Sequence, residues 1–193
     1  MEKRIFLTGA EAETRSRLIR EALGEKLAEA GGFVLRAEPG QDGFAEGYAL
    51  CPAAAAGGVE GLESRRFLDC RVWPPAHDNE VFRDFGVRLL EEAAFYPFAL
   101  LDEIGGYETL IPQFAAALSS LLQSGLPIVG ALKTAEEAER WRQLFGLGER
   151  FTGRIGQLHA ALESDPDTRI VDLGELSEDE VLLLLRAWAK EHS

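Results

Sequence analysis

The sequence predicts an α/β fold with a largely parallel sheet, and three observations carry that reading. Short apolar runs of strand length alternate with longer stretches of helical periodicity. Four of the runs are nearly continuous in apolar residues, as strands covered on both faces must be. The first of them breaks at a glycine straight into a charged helical segment, which is how a ligand-binding strand-loop-helix unit opens. At 193 residues the chain suffices for one core and is short for two, so residues 1–193 are read as a single domain.

The elements follow in order. The first strand is "RIFLT" (4–8). The segment "TRSRLIREALGEKLAEAG" then places Leu18, Ile19, Ala22, Leu23 and Leu27 on one helix face, with Gly31 and Gly32 predicted to end the helix. From 32 to 73 the alternation lapses. Gly, Pro and Asp separate short runs there, which predicts an inserted antiparallel hairpin, 33–37 with 45–51, and a third strand over 67–72. "PAAAAGGVEG" within it reads as a mobile loop. Later strands are "FALLD" (98–102), "PIVGAL" (127–132) and "RIVDL" (169–173), between helices at 79–95, 109–124, 134–145 and 177–191. Ser177 followed by Glu180 is a capping box that fixes the start of the last helix.

The formal charge of −13 argues against nucleic acid as a partner, because a backbone of phosphates needs clustered Lys and Arg. Two cysteines, Cys51 and Cys70, are too few for a zinc site or a disulfide framework, and they read as buried thiols in a reducing cytoplasm. "IFL" is shorter than a secretory apolar region, and "VLLLLRAWA" is broken by Arg186. No membrane segment is expected.

Two stretches carry chemistry. The loop "GAEAETRS" lays Gly9, Ala10, Glu11, Ala12, Glu13, Thr14, Arg15 and Ser16 on the frame G-x-x-x-x-G-K-[ST], in which backbone N–H groups wrap phosphates, a lysine reaches the outer ones and a hydroxyl holds magnesium. Spacing, first glycine and hydroxyl survive. Thr14 stands where glycine would accept backbone angles that a β-branched residue resists, and Arg15 keeps the charge but not the shape of the lysine. Glu11 and Glu13 add carboxylates, each repelling one phosphate charge by about 3 kcal/mol at ~6 Å and an effective dielectric of ~20. The loop as written disfavours a triphosphate unless those glutamates point outward.

The second stretch is "FYPFALLDEIGGYE". Asp102 and Glu103 stand at the carboxyl end of an apolar strand, where open α/β sheets bind ligands. In a nucleotide hydrolase such an Asp holds magnesium and the following Glu orients and deprotonates the attacking water.

With these segments in order, the chain resembles the cancer-related nucleoside-triphosphatase family, small P-loop enzymes also found in thermophiles. "IFLTGAEAETRS" stands for that family's "hxLTGxPGxGKTT", "GGFVLRAEPGQDGFAEGYAL" for its "GFxTxE…GF" hairpin, "FALLDEIGGYETLIPQF" for "hhhIDEIGxME", "SGLPIVGALK" for "GxPVIATxH" and "DPDTRIVDLGELSED" for "PDVxVhEVTxxNR". The resemblance implies a RecA-like P-loop three-layer sandwich, magnesium, and hydrolysis of nucleoside triphosphates to diphosphate and phosphate. Carried over, Gly9, Thr14, Arg15 and Ser16 would form the phosphate site, Ser16 and Asp102 the metal side, and Glu103 the catalytic base.

Three functions stay open at this stage. One is a P-loop NTPase-fold module whose phosphate site has degenerated, binding nucleotide or protein with little or no hydrolysis, with magnesium present only if nucleotide binds. The second is an active magnesium-dependent nucleoside triphosphatase, and the third a ligand-free scaffold that binds a protein partner. His77 in "WPPAHDNE" reads as a surface histidine. Trp73, Tyr107 and Phe95 are candidates for a base pocket or for core, and Arg150 and Arg154 for an arginine finger or for solvated surface.

Overall fold

The protein is described by a computed structural model that covers residues 2–41 and 43–192. Its strands are β1 (Arg4–Thr8), β2 (Ala30–Pro39), β3 (Ala45–Pro52), β4 (Arg65–Asp69), β5 (Ala76–His77), β6 (Phe98–Ile104), β7 (Ile128–Leu132) and β8 (Thr168–Asp172). They form one sheet in the order β5-β4-β3-β2-β6-β7-β1-β8. From β2 through β8 the pairing is parallel; β3, β4 and β5 extend it antiparallel. The helices are α1 (Ala12–Leu23), α2 (Val87–Glu92), α3 (Pro112–Gln123), α4 (Ala135–Leu144), α5 (Glu149–Ser164) and α6 (Glu178–His192).

Alternation along the strands builds the three layers. Ile5 and Leu7 join the apolar cluster that holds α1 and α6, whereas Phe6 between them joins the cluster on the other face with α2 and α3. The same division separates Phe98 and Leu100 from Ala99 and Leu101. Because β7 lies between β1 and β6, the loop after β1 and the acidic end of β6 are spaced by one strand and face a common crevice.

The predicted hairpin is present, but β2 does more than pair with β3. Its first residues, Ala30–Phe33, pair in parallel with β6, so hairpin and main sheet share a strand. This corrects the expected end of α1. The helix stops at Gly24, at φ +54, and a 3-10 turn over Gly24–Glu29 leads into β2. Gly31 and Gly32 are strand residues whose missing side chains serve packing: a Cβ on Gly31 would lie 2.6 Å from the Ala93 Cα, and one on Gly32 2.3 Å from the Leu100 carbonyl. The stretch expected to be mobile is instead a 3-10 turn, Ala53–Gly57, pressed so closely on the Gly24–Glu29 turn that a Cβ on Gly57 would meet the Ala28 nitrogen at 2.1 Å. Helix α5 was not expected. Phe151, Ile155 and Leu162 bury one of its faces, while Gly153 and Gly156 on its open side mask the pattern.

Candidate functional site

The loop after β1 is shorter than its motif frame. Gly9 and Ala10 turn the chain with φ of +68 and +44, Glu11 caps the helix, and α1 begins at Ala12. Thr14 is therefore an ordinary helical residue and makes no left-handed turn. Its N–H and that of Arg15 donate to the Glu11 carbonyl at 3.0 and 3.2 Å, so neither is available to wrap an anion. The retained first glycine has a structural reason of its own: a Cβ on Gly9 would lie 2.4 Å from Asp172 Oδ1 at the end of β8. Glu11 and Glu13 are exposed, so solvent screens the repulsion expected from them, although Glu13 still lines the neighbouring cleft.

What closes the loop is Arg15. Its side chain is fully buried, and one guanidinium nitrogen donates to the carbonyls of Gly9 and Ala10, both at 2.8 Å. Glu137 grips the same group through two hydrogen bonds of 3.1 and 2.9 Å. The loop thus turns carbonyl oxygens toward a cation where a phosphate cradle turns N–H groups toward an anion. Glu137 is fixed in turn by a capping box at the start of α4: its N–H donates to Thr134 Oγ1 at 3.1 Å, and its carboxylate accepts from the Thr134 N–H at 2.7 Å. Burial works to raise its pKa, but the hydrogen bonds from Arg15 and Thr134 prevail and hold it below the usual carboxylate range.

At the end of β6 the motif residues do come together. Ser16 Oγ donates to Asp102 Oδ1 at 2.5 Å, and Asp102 Oδ2 accepts from the Leu35 N–H of β2 at 3.0 Å. Burial raises the Asp102 carboxyl against those two bonds. Glu103 is buried as well and forms an ion pair with Lys133, with Arg15 at 3.7 Å. Burial pulls the Lys133 ammonium down to about 8 despite its carboxylate neighbours. Among the described residues no group of three or more His, Cys, Asp or Glu is arranged to hold a metal ion.

Beyond these groups opens a cleft of about 510 Å³, bounded by β2, β3, β4 and the segment after β6. Several of its walls escaped sequence reasoning. Glu108, 7 % exposed, accepts from the Gly106 N–H at 2.8 Å, and burial pushes its carboxyl up to about 6. His77, read as a surface histidine, is half-buried: it stacks on Tyr107 with ring centroids 4.0 Å apart and stands edge-on to Phe145. Partial burial lowers its pKa, and neither ring nitrogen has a hydrogen-bond partner among the described residues. Lys133 lies over the Trp141 ring at 5.2 Å. Thr134-x-x-Glu137 was a readable capping signal, whereas nothing local announces that Glu137 binds Arg15. Of the other aromatic candidates, Trp73 and Phe95 are exposed and take no part, and Arg150 and Arg154 are exposed on α5.

Sheet order and layers define a three-layer α/β protein with a crevice at the carboxyl ends of its parallel strands. The solution structure of a human cancer-related nucleoside triphosphatase superposes with a TM-score of 0.64 over 98 % of this chain and 98 % of that one, at 16 % sequence identity. That likeness is one of fold. No protein-family profile matches the chain, and no curated protein matches it in sequence. Among the described residues no helix is long and apolar enough to cross a membrane.

Proposed function

We propose that this chain is a distant relative of the nucleoside-triphosphatase family that has kept the scaffold and lost the phosphate site, and that it works as a binding module without triphosphate hydrolysis. The observation that carries this is the buried Arg15 guanidinium, donating to the Gly9 and Ala10 carbonyls and clamped by Glu137. A triphosphate would have to displace that group, unwind the first turn of α1 and leave Glu137 facing a polyanion. Each step is unfavourable.

One observation favours the active alternative: Ser16 and Asp102 remain in contact, as a magnesium site for nucleotide would need. Those two residues would take the metal side if nucleotide were present. Against this, both Asp102 oxygens already accept hydrogen bonds, and the phosphate oxygens that would complete the coordination have no cradle. The ion pair with Lys133 also engages Glu103, the residue that would serve as base. Phosphate release from ATP and GTP with magnesium separates the two readings. The proposal expects no release above the protein-free background; turnover that Glu103→Gln abolishes would overturn it.

A further inference from the structure

The cleft beside the closed loop is of a size that takes a small molecule, and its chemistry is unlike that of a phosphate site. Its charged lining is Glu13, Asp102, Glu103, Glu108 and Glu137 against Arg20 and Lys133. The deep cations are already engaged, Lys133 by Glu103 and Arg15 by Glu137. Asp102 and Glu108 receive hydrogen bonds but no ion-pair partner among the described residues. Arg20 and Arg15 act on Asp102 from a distance, but the lining acids still outnumber the lining cations, and an anionic ligand would meet net negative charge. A cation would be stabilised by it.

Aromatic rings line the same cleft. Tyr107 is backed by the stacked His77 ring, and Trp141 and Phe67 are also among them. Trp141 already holds one cation, the Lys133 ammonium, over its face. Carboxylates and aromatic rings lining one cleft together suit one kind of guest.

We infer that this cleft binds a small organic amine with a flat aromatic body, its ammonium directed to Glu108 and its ring laid along Tyr107. The inference rests on the reading of the chain as a binding module, and it gives that module a ligand class that is cationic where a nucleotide is anionic. Glu108 anchors the guest because it is buried, is held only by backbone N–H groups with no ion-pair partner among the described residues, and sits at the turn that presents Tyr107.

The experiment is an amide-resolved NMR titration of the whole chain with tryptamine and, separately, with indole-3-propionate, which carries the same ring on an anionic chain. Tryptamine is expected to shift the amides of Gly106, Tyr107, Glu108 and Lys133, and indole-3-propionate to leave them in place. Glu108→Gln and Tyr107→Ala, each with an unchanged spectrum outside the cleft, should each weaken tryptamine about tenfold. The inference is overturned if neither compound shifts those amides, if the propionate does so equally well, or if Glu108→Gln leaves the affinity unchanged. A third arm with ATP and magnesium reports on the amides of residues 9–16: shifts there would overturn the closed-loop reading while leaving the amine result to stand by itself.

Discussion

The loop after β1 and the acidic end of β6 are the two stretches whose sequences are read against nucleotide-hydrolase motifs, and the structure treats them differently. At the strand end, geometry survived with the residues: Ser16 and Asp102 meet at 2.5 Å. At the loop, spacing survived and geometry did not, because α1 starts at Ala12 and draws Thr14 and Arg15 into its first turns. The difference lies in what each motif asks of the chain. An Asp at the end of a buried strand is placed by the sheet, whatever the neighbouring loop does. A phosphate cradle is a backbone conformation, and without its second glycine the backbone takes the commoner course and becomes helix.

The comparison breaks hardest at Glu137. If the closed loop depends on this carboxylate, Glu137→Ala strands a buried guanidinium and removes the α4 capping box, and should cost about 3–5 kcal/mol in urea denaturation. A loss below about 1 kcal/mol would mean Arg15 needs no clamp. Arg15→Lys replaces a planar fork by a point charge that cannot satisfy two carbonyls and a bidentate carboxylate together, so a loss of about 2 kcal/mol is expected there.

On the strand-end side, Glu108 sharpens the contrast through pH. Its carboxyl is shifted from the ordinary 4.5 to about 6, so the fold favours the protonated form. That contribution is complete below pH 4.5 and is lost as pH rises through 6, to a total of about 2 kcal/mol for a fully buried group. Lys133 and Glu103, which line the same cleft, remain in the variant. Glu108→Gln should therefore gain about 2 kcal/mol relative to the parent between pH 4 and pH 7, read from paired denaturation curves. A constant difference would place the Glu108 titration elsewhere.

The smallest effect tests the backbone directly. Since Thr14 is helical, Thr14→Ala should stabilise the protein by about 0.5 kcal/mol. In a cradle that needs a left-handed turn at this position, the same change would bring no such gain.

Much of the fold was legible. The four apolar strands lie within two residues of their predicted ends, because continuous apolar runs have few other uses in an α/β chain. Ser177 caps α6 as its spacing with Glu180 foretold. Gly31 and Gly32 misled because glycine after a helical pattern signals a cap, while here it signals two backbones in close approach, which only tertiary packing decides. The site divides in the same way. The contact between Ser16 and Asp102 follows from motif order, but the carboxylate that clamps Arg15 lies more than a hundred residues away on α4, and the burial of Glu108 and partial burial of His77 depend on walls from several strands. Local pattern carries no information about such partners.

The central claim is that Arg15 occupies the place a phosphate would take. A crystal structure of the chain grown with a nonhydrolysable triphosphate and magnesium tests it most directly. The account predicts Arg15 on the Gly9 and Ala10 carbonyls with Glu137 beside it, and no phosphate density at the start of α1. Beta and gamma phosphates seated on the amides of residues 12–15, with Arg15 swung out, would contradict it.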